Sequence, residues 1–494
     1  MNAAGAPAPE LIEAGFAYEI AGASILHEGL NLADMAHLLQ QHSHGIVPDD
    51  DAAALAAVLL AADSVEADRF GYDAAVGEPY NSRERVFTGR LGDTAGWLHA
   101  GRPRREATRV AFRLHLRRQV CNLVLSAARL ARALAERAHE HRDTLFADHT
   151  YLQQAQPSTI GHYLTSFAYP VQRDAARLLE IVTWINGSPG GAGCVNGSRL
   201  VTERTSFAAS LGFSEVIVNT RDAMWQVDGL VQLAATASSL ACTQTSLAED
   251  LEIWASSEFD YVDLADGFSR SSVLMPQKRN PYALSMIRGT AGLVIGGLTG
   301  LLAIQKSPSA RSDSLIFVYG ELPTLVAHTQ RMTDLTAGVV ETLVINEARM
   351  LDRLEHGFSQ ATDVAEEVML RTGLDYRRAY QVVGQAVRDL AADGRVAADL
   401  TPSYLDAAAR SVLGHPLEIT AADLAVVLDP AAVVASRTGT GGAAPGAVDA
   451  MVSEIRATAE RLQVAADGLL SRFDGAEAEV RARTRRLAGG RRGP

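Results

Sequence analysis

From Arg104 to Gln156 the chain contains neither glycine nor proline. Within that stretch Val110, Leu114, Val120, Leu123, Leu130 and Leu134 recur at helical spacing. The pattern predicts a helix of roughly 40 residues, about 60 Å long, which implies a bundle core. Residues 222–256 predict a second long helix with a single interruption at Gly229, and segments 281–306 and 319–351 two more. Pro189-Gly190-Gly191 marks a turn between helices. A helical pattern resumes from Thr362 to Leu390, and shorter pieces follow. Residues 1–10, small and with two prolines, predict disorder. The Arg- and Gly-rich stretch Arg481–Pro494 predicts a solvated tail. No internal repeat is visible. The expected architecture is all-α: an N-terminal helical domain (1–110), a central long-helix bundle (111–361) and a C-terminal helical domain with a basic tail (362–494).

The low aromatic content, 6%, and the abundance of alanine favour helices over sheets. A formal net charge of -13 argues against a general nucleic-acid binder. Cys121, Cys194 and Cys242 are too few and too scattered for a disulfide framework or a metal cluster, so a reducing, cytoplasmic setting is expected. The N-terminus shows no basic segment followed by an apolar one, and no run of about 18 apolar residues suggests a membrane span. No nucleotide-binding loop or metal constellation is visible, so no cofactor is implied.

The densest chemistry lies in Ser271-Ser272-Val273-Leu274-Met275-Pro276-Gln277-Lys278-Arg279-Asn280-Pro281. Two hydroxyls, an ammonium and an amide in one loop can set a proton acceptor beside groups that bind a carboxylate. The loop resembles the Gly-Ser-x-x-Met-x-x-Lys-x-Asn signature of the fumarase/aspartase superfamily, with Ser271 in place of the glycine. Further segments are similar to its argininosuccinate lyase branch: Ala23-Ser24-Ile25-Leu26-His27, Gly92-Asp93-Thr94-Ala95-Gly96-Trp97-Leu98-His99, Thr150-Tyr151-Leu152-Gln153-Gln154-Ala155-Gln156-Pro157, Ala361-Thr362-Asp363-Val364-Ala365 and Gly441-Gly442-Ala443-Ala444-Pro445. The resemblance covers roughly residues 15–465. It implies a three-domain fold, a twenty-helix core in a homotetramer, and active sites each shared by three subunits.

It also implies roles. Ser272 stands where the family has its catalytic base; a serine there needs positive charge and amide dipoles to depress its pKa. Lys278 would stabilise the dianion formed on proton abstraction. Asn280, Thr150 and Ser24 would hold carboxylates with Arg104, a planar fork suited to them. Ser271, Met275, Gln153 and Arg311 complete the substrate-binding set. The family loop closes over substrate, and Phe268 and Arg270 lie just upstream of it here.

Three departures redirect the reading. The family's Thr-His pair is Thr150-Tyr151, and the glutamate partnering that histidine is Ser285, so the His–Glu dyad is absent. Either Tyr151 is the proton or hydrogen-bond donor, or the leaving group needs no acid, or the enzyme is slow or inactive, with Tyr151 then plain packing; His149, two residues away on the expected helix, would point elsewhere. In Arg102-Pro103-Arg104-Arg105-Glu106, Arg105 replaces a substrate-contacting asparagine. It would favour a more anionic substrate or else pair with a neighbouring acid. In the stretch from Arg311 to Tyr319, Ile316 and Tyr319 replace a glutamine and a lysine that read the amino-acid end of argininosuccinate. The expectation is a lyase that cleaves a C–N bond beside a carboxylate of a succinyl-type substrate, releasing fumarate, with argininosuccinate an unlikely substrate. The alternatives are elimination of nitrite or an oxygen group, cycloisomerisation of another carboxylate, and a catalytically silent structural tetramer.

Overall fold

The computed structural model describes residues 7–311 and 313–490. Six long helices dominate. They are preceded by α1 (Ala23–Ser43), α2 (Asp49–Asp63) and α3 (Pro79–Leu91). The bundle comprises α4 (Arg104–Glu140), α5 (Ile160–Ile185), α6 (Asp228–Trp254), α7 (Tyr282–Gln305) and α8 (Asp313–Thr342). After α9 (Glu347–Glu355), the C-terminal region holds α10 (Ala361–Thr372), α11 (Tyr376–Ala392), α12 (Pro402–Leu413) and α13 (Ala421–Leu428). The chain then returns along the bundle as α14 (Pro445–Ala488).

Side-chain contacts fix the directions. α4 and α8 run parallel, since Phe112 packs on Tyr319 near their starts and Arg129 pairs with Glu341 near their ends. α5 and α14 run against α4: Arg113 donates to the Ile185 carbonyl, and Arg118 and His139 pair with Asp474 and Asp449. Alanines and branched aliphatics fill the space between these helices, for example Ala127, Leu130, Ala131 and Leu134. A second apolar cluster joins α1 and α2 to Val110 and Leu114 of α4, and a third is built around α10, α11 and α12.

The structure corrects several expected elements. The long helix after Arg104 stops at Glu140. The rest of that glycine-free stretch forms a hairpin, β1 (Leu145–Thr150) on β2 (Gln153–Thr159), with a bulge between Ala147 and His149. Its turn uses Tyr151 and Leu152 at φ 53° and 58°, left-handed positions that normally advertise themselves as glycine or asparagine. The expected helix over 222–256 is two helices, Thr220–Trp225 and α6, and the break falls at Gln226–Val227 rather than at Gly229. There the Gln226 amide oxygen accepts from buried Arg113, holding the chain off the helical path. The segment 319–351 is α8, a strand and α9, because β6 (Val344–Ile345) pairs with β3 (Val262–Asp263). Gly373, at φ 73°, divides the expected helix over 362–390 into α10 and α11. Residues 481–488 belong to α14: Arg481 pairs with Asp63 and Glu28, and Thr484 is buried. Residues 491–494 of the expected tail lie outside the described residues, as do residues 1–6 of the expected N-terminal disorder; Pro9–Leu11 is helical. By length and composition α7 is apolar enough to cross a membrane, with a mean hydropathy of 1.6 over its best window. Glycines at 289, 292, 296, 297 and 300 hide this from a search for an unbroken apolar run. Its inner face, with Leu284, Ile287 and Val294, is buried in the bundle.

Candidate active site

The signature loop is a small clamp. β4 (Arg270–Ser271) pairs with β5 (Arg279–Asn280), the Ser272 N–H donates to the Lys278 carbonyl at 3.0 Å, and the Lys278 N–H donates to the Met275 carbonyl at 3.0 Å. The Ser272 hydroxyl oxygen accepts from the backbone N–H groups of Leu274 at 3.2 Å and Met275 at 3.0 Å. Two amide dipoles therefore converge on the oxygen that would carry negative charge as a base. Lys278 is exposed, and among the described residues it enters no ion pair. Asn280 spends one N–H on the Arg270 carbonyl at 2.9 Å, so its amide secures the loop and keeps one N–H for a ligand. Ser271 and Met275 are exposed on the same loop.

The base of the clamp is held from both sides. Arg279 pairs with Asp263 at 2.5 Å and with Asp266 at 2.9 Å. Phe268, one step upstream, packs on Gly338 of α8, where a Cβ would stand 2.8 Å from the ring. Arg270 lies over the Tyr282 ring at 5.3 Å. Phe268 and Arg270 thus act as anchors in this conformation.

Thr150, Tyr151 and Gln153 sit at the tip of the β1–β2 hairpin, all exposed, with Tyr151 at 99%. His149 is on a strand, not a helix. Its ring lies between Phe259 and Tyr261, and burial holds its pKa below the usual histidine value. A neutral imidazole in an aromatic wall is a poor proton donor, so the exposed Tyr151 remains the candidate at this tip.

Ser285, where the family has its glutamate, donates to a carboxylate oxygen of Glu252 at 3.3 Å, and Arg288 binds the other oxygen. A carboxylate therefore does stand at this position, delivered from α6 rather than from α7. Nothing in the local sequence of the loop could have revealed it.

At the other end of the bundle, Ser24 is exposed in the first turn of α1. Arg104 binds Asn81 and lies within ion-pair range of Glu84 at 3.4 Å and Glu78 at 3.8 Å. Arg105 bonds Glu19 at 2.6 Å and lies 3.1 Å from Glu78. The pairing alternative therefore holds for Arg105, with Glu19 and Glu78 as the acids. Glu106 is occupied elsewhere: its buried carboxylate accepts from the Gly191 and Gly193 N–H groups at 2.7 and 2.8 Å and ties that turn to α4. Arg102 is buried on Asp34 at 2.6 Å. The Arg311 carbonyl accepts from the Trp225 indole at 3.1 Å. Ile316 and Tyr319 line a small cavity beside Glu19 and Glu78. The expected added positive charge is thus offset by carboxylates whose positions in sequence carried no signal.

The predicted residues form two sets. The hairpin tip and the clamp lie toward the end of α4, through α9 and β6, whereas Ser24, Arg104 and Arg105 lie at its start. A helix of 37 residues separates them by roughly 55 Å. One chain does not bring them together.

A lyase family model matches residues 52–296, and a model of the argininosuccinate lyase C-terminal region matches residues 358–435. The argininosuccinate lyase of Natronomonas pharaonis is 34% identical over 461 residues, 93% of this chain and 90% of that one. That of Mycolicibacterium vanbaalenii is 34% identical over 436 residues, 88% of this chain and 91% of that one. Among solved structures, a variant of EDDS lyase with bound fumarate superposes with a TM-score of 0.87 at 26% identity, covering 98% of this chain and 97% of that one. With the Ser272–Lys278–Asn280 clamp in place and this similarity running along nearly the whole chain, the protein belongs to the argininosuccinate lyase branch of the fumarase/aspartase superfamily and is a carbon–nitrogen lyase.

Proposed function

We propose that the chain cleaves the C–N bond of an N-substituted succinate other than argininosuccinate, releasing fumarate and an amine. The observation that carries this reading is the Ser272 hydroxyl accepting two backbone N–H groups at the centre of a loop whose Lys278 enters no ion pair among the described residues. Ser272 would take the proton beside one carboxylate, with Lys278 and the free N–H of Asn280 on the dianion that forms. Tyr151 would face the departing nitrogen. Ile316 and Tyr319, in place of polar readers, support a leaving group other than arginine. The test is fumarate absorbance on mixing purified protein with a panel of N-substituted succinates, argininosuccinate included. Turnover should appear with a member other than argininosuccinate and fall by about 10²–10⁴ in Ser272→Ala. Efficient turnover of argininosuccinate alone would refute the substrate assignment, and turnover indifferent to Ser272 the mechanism.

We also propose a homotetramer in which three subunits share each site. Only 22% of the apolar window of α7 is buried within the chain, and Met286, Leu293, Ile295 and Leu302 are exposed. Covering the exposed half of each such side chain is worth roughly 1 kcal/mol, which favours packing against other copies. The separation of the two residue sets along α4 supports the sharing. The three cysteines are unpaired, in keeping with a reducing cytoplasm.

A further inference from the structure

We propose that Gln154 is a positioning residue for the elimination: it ties the tip of β1–β2, and with it the Tyr151 phenol, to the end of α9. The inference rests on the reading of Tyr151 as the group facing the departing nitrogen, and adds the residue that keeps it in place.

The tip has little of its own to hold it. Tyr151 and Leu152 take left-handed backbone, and their side chains are 99% and 57% exposed, so their own packing does not offset the strain. Such a conformation persists only where the surrounding structure determines it. The last pairs before the turn are Thr150 with Gln153 and His149 with Gln154. Thr150 and Gln153 are exposed, so the first anchored residues on the two stems are His149 and Gln154. His149 is seated against the Phe259 and Tyr261 rings. Gln154 is exposed and reaches across to α9.

That helix serves as a splint. It is fixed in the molecule through Met350 and Leu354, both fully buried. At its start, Glu347 accepts from the hydroxyl of Thr144, the residue before β1, at 2.9 Å. At its end, the Gln154 side-chain amide donates to the Arg353 carbonyl at 2.9 Å. Arg353 lies in the last turn, where carbonyls lack a helical donor, so Gln154 supplies a bond that the helix leaves open. The hairpin is thereby fastened at its root and again three residues from Tyr151. Gly357, between α9 and α10, makes room for the second fastening: a Cβ there would overlap the Gln154 amide oxygen. An exposed glutamine held this way adds little to the stability of the whole chain and much to the definition of one turn.

The experiment pairs a structural readout with a kinetic one on the assembled protein. Gln154→Ala should speed amide exchange over residues 149–154 by about fivefold, the loss of one net hydrogen bond, and leave the unfolding midpoint in place. On the most rapidly cleaved succinate of the panel above, it should lower kcat by about fivefold. Gly357→Ala should do the same by displacing the amide, and should add nothing to Gln154→Ala. In a Tyr151→Phe background neither substitution should lower kcat further, as a residue acting through the phenol requires. Unchanged exchange, or an equal loss of kcat in the two backgrounds, overturns the proposal. Faster exchange in a protein whose rate ignores Tyr151→Phe would keep Gln154 as the fastener of the tip and sink the reading of Tyr151.

Discussion

Tyr151 and Leu152 hold left-handed backbone at the tip of β1–β2. For residues with a Cβ that conformation costs about 1 kcal/mol or more each, and a turn of this kind is met more cheaply by Asn-Gly. The cost is borne where the phenol of Tyr151 is fully presented, which suits a side chain that works on something outside its own chain. Tyr151→Phe removes only the hydroxyl. It should leave the unfolding midpoint in place and lower the elimination rate about tenfold or more; an unchanged rate would mean the ring serves only as packing between copies. The histidines behave differently. His37 is buried, and burial holds its pKa well below the usual value, with the neighbouring Arg102 acting in the same direction. A base whose folded pKa is depressed destabilises the fold as pH falls through the unfolded value of about 6.5, because the unfolded chain binds the extra proton. His27, His115, His141 and His149 are lowered too, chiefly by burial. Denaturant midpoints should therefore drop between pH 7.5 and 5.5, each such histidine adding up to about 1.4 kcal/mol per pH unit. His37→Gln should flatten that slope; a pH dependence identical to the parent protein would assign the effect to other groups.

The clamp works as an element because its two strands, the Arg279 pairs and the Phe268–Gly338 contact act on one short segment. Gly338 makes the point. A glycine inside an exposed helix ordinarily costs about 1 kcal/mol relative to alanine. Here an added Cβ would meet the Phe268 ring at 2.8 Å. Gly338→Ala should therefore destabilise by about 1–3 kcal/mol and lower turnover by shifting the loop. In a Phe268→Ala background the same change should become neutral or stabilising, and additive effects in the double variant would exclude the contact as an anchor. The clamp was legible in sequence because its chemistry is local: Ser272, Lys278 and Asn280 fall within nine residues. The long helices were legible too, since a stripe such as Val110 to Leu134 repeats with the helix period. What was hidden depends on residues far apart or on unusual backbone. The hairpin was masked by turn residues with no glycine signal. Glu252 stands 33 positions before the Ser285 it meets, and the acids around Arg105 lie 86 and 27 positions away.

At the scale of the molecule, the question is how groups at opposite ends of a helix roughly 55 Å long act on one substrate. The proposed sharing of sites between copies would answer it, and it can be separated from any arrangement within one chain. Ser272→Ala and Arg104→Ala each disable one contribution, one from each end of α4, and both side chains lie outside the apolar core. If the two groups at a site come from different subunits, a mixed tetramer holds some sites that draw Ser272 from one kind of chain and Arg104 from the other. Random assembly from an equal mixture makes that fraction roughly a quarter. Co-expressed variants should then recover up to about a quarter of the parent activity, far above either variant alone. Mixing the separately assembled proteins without dissociation should recover none. If both groups served the same site from one chain, every site in every mixture would carry a defect, and co-expression would give only the average of the two variants. Leu293→Lys on the exposed face of α7 provides the companion measurement: sedimentation should show smaller assemblies, and activity should fall with them. A fully active monomer would remove the need for sharing.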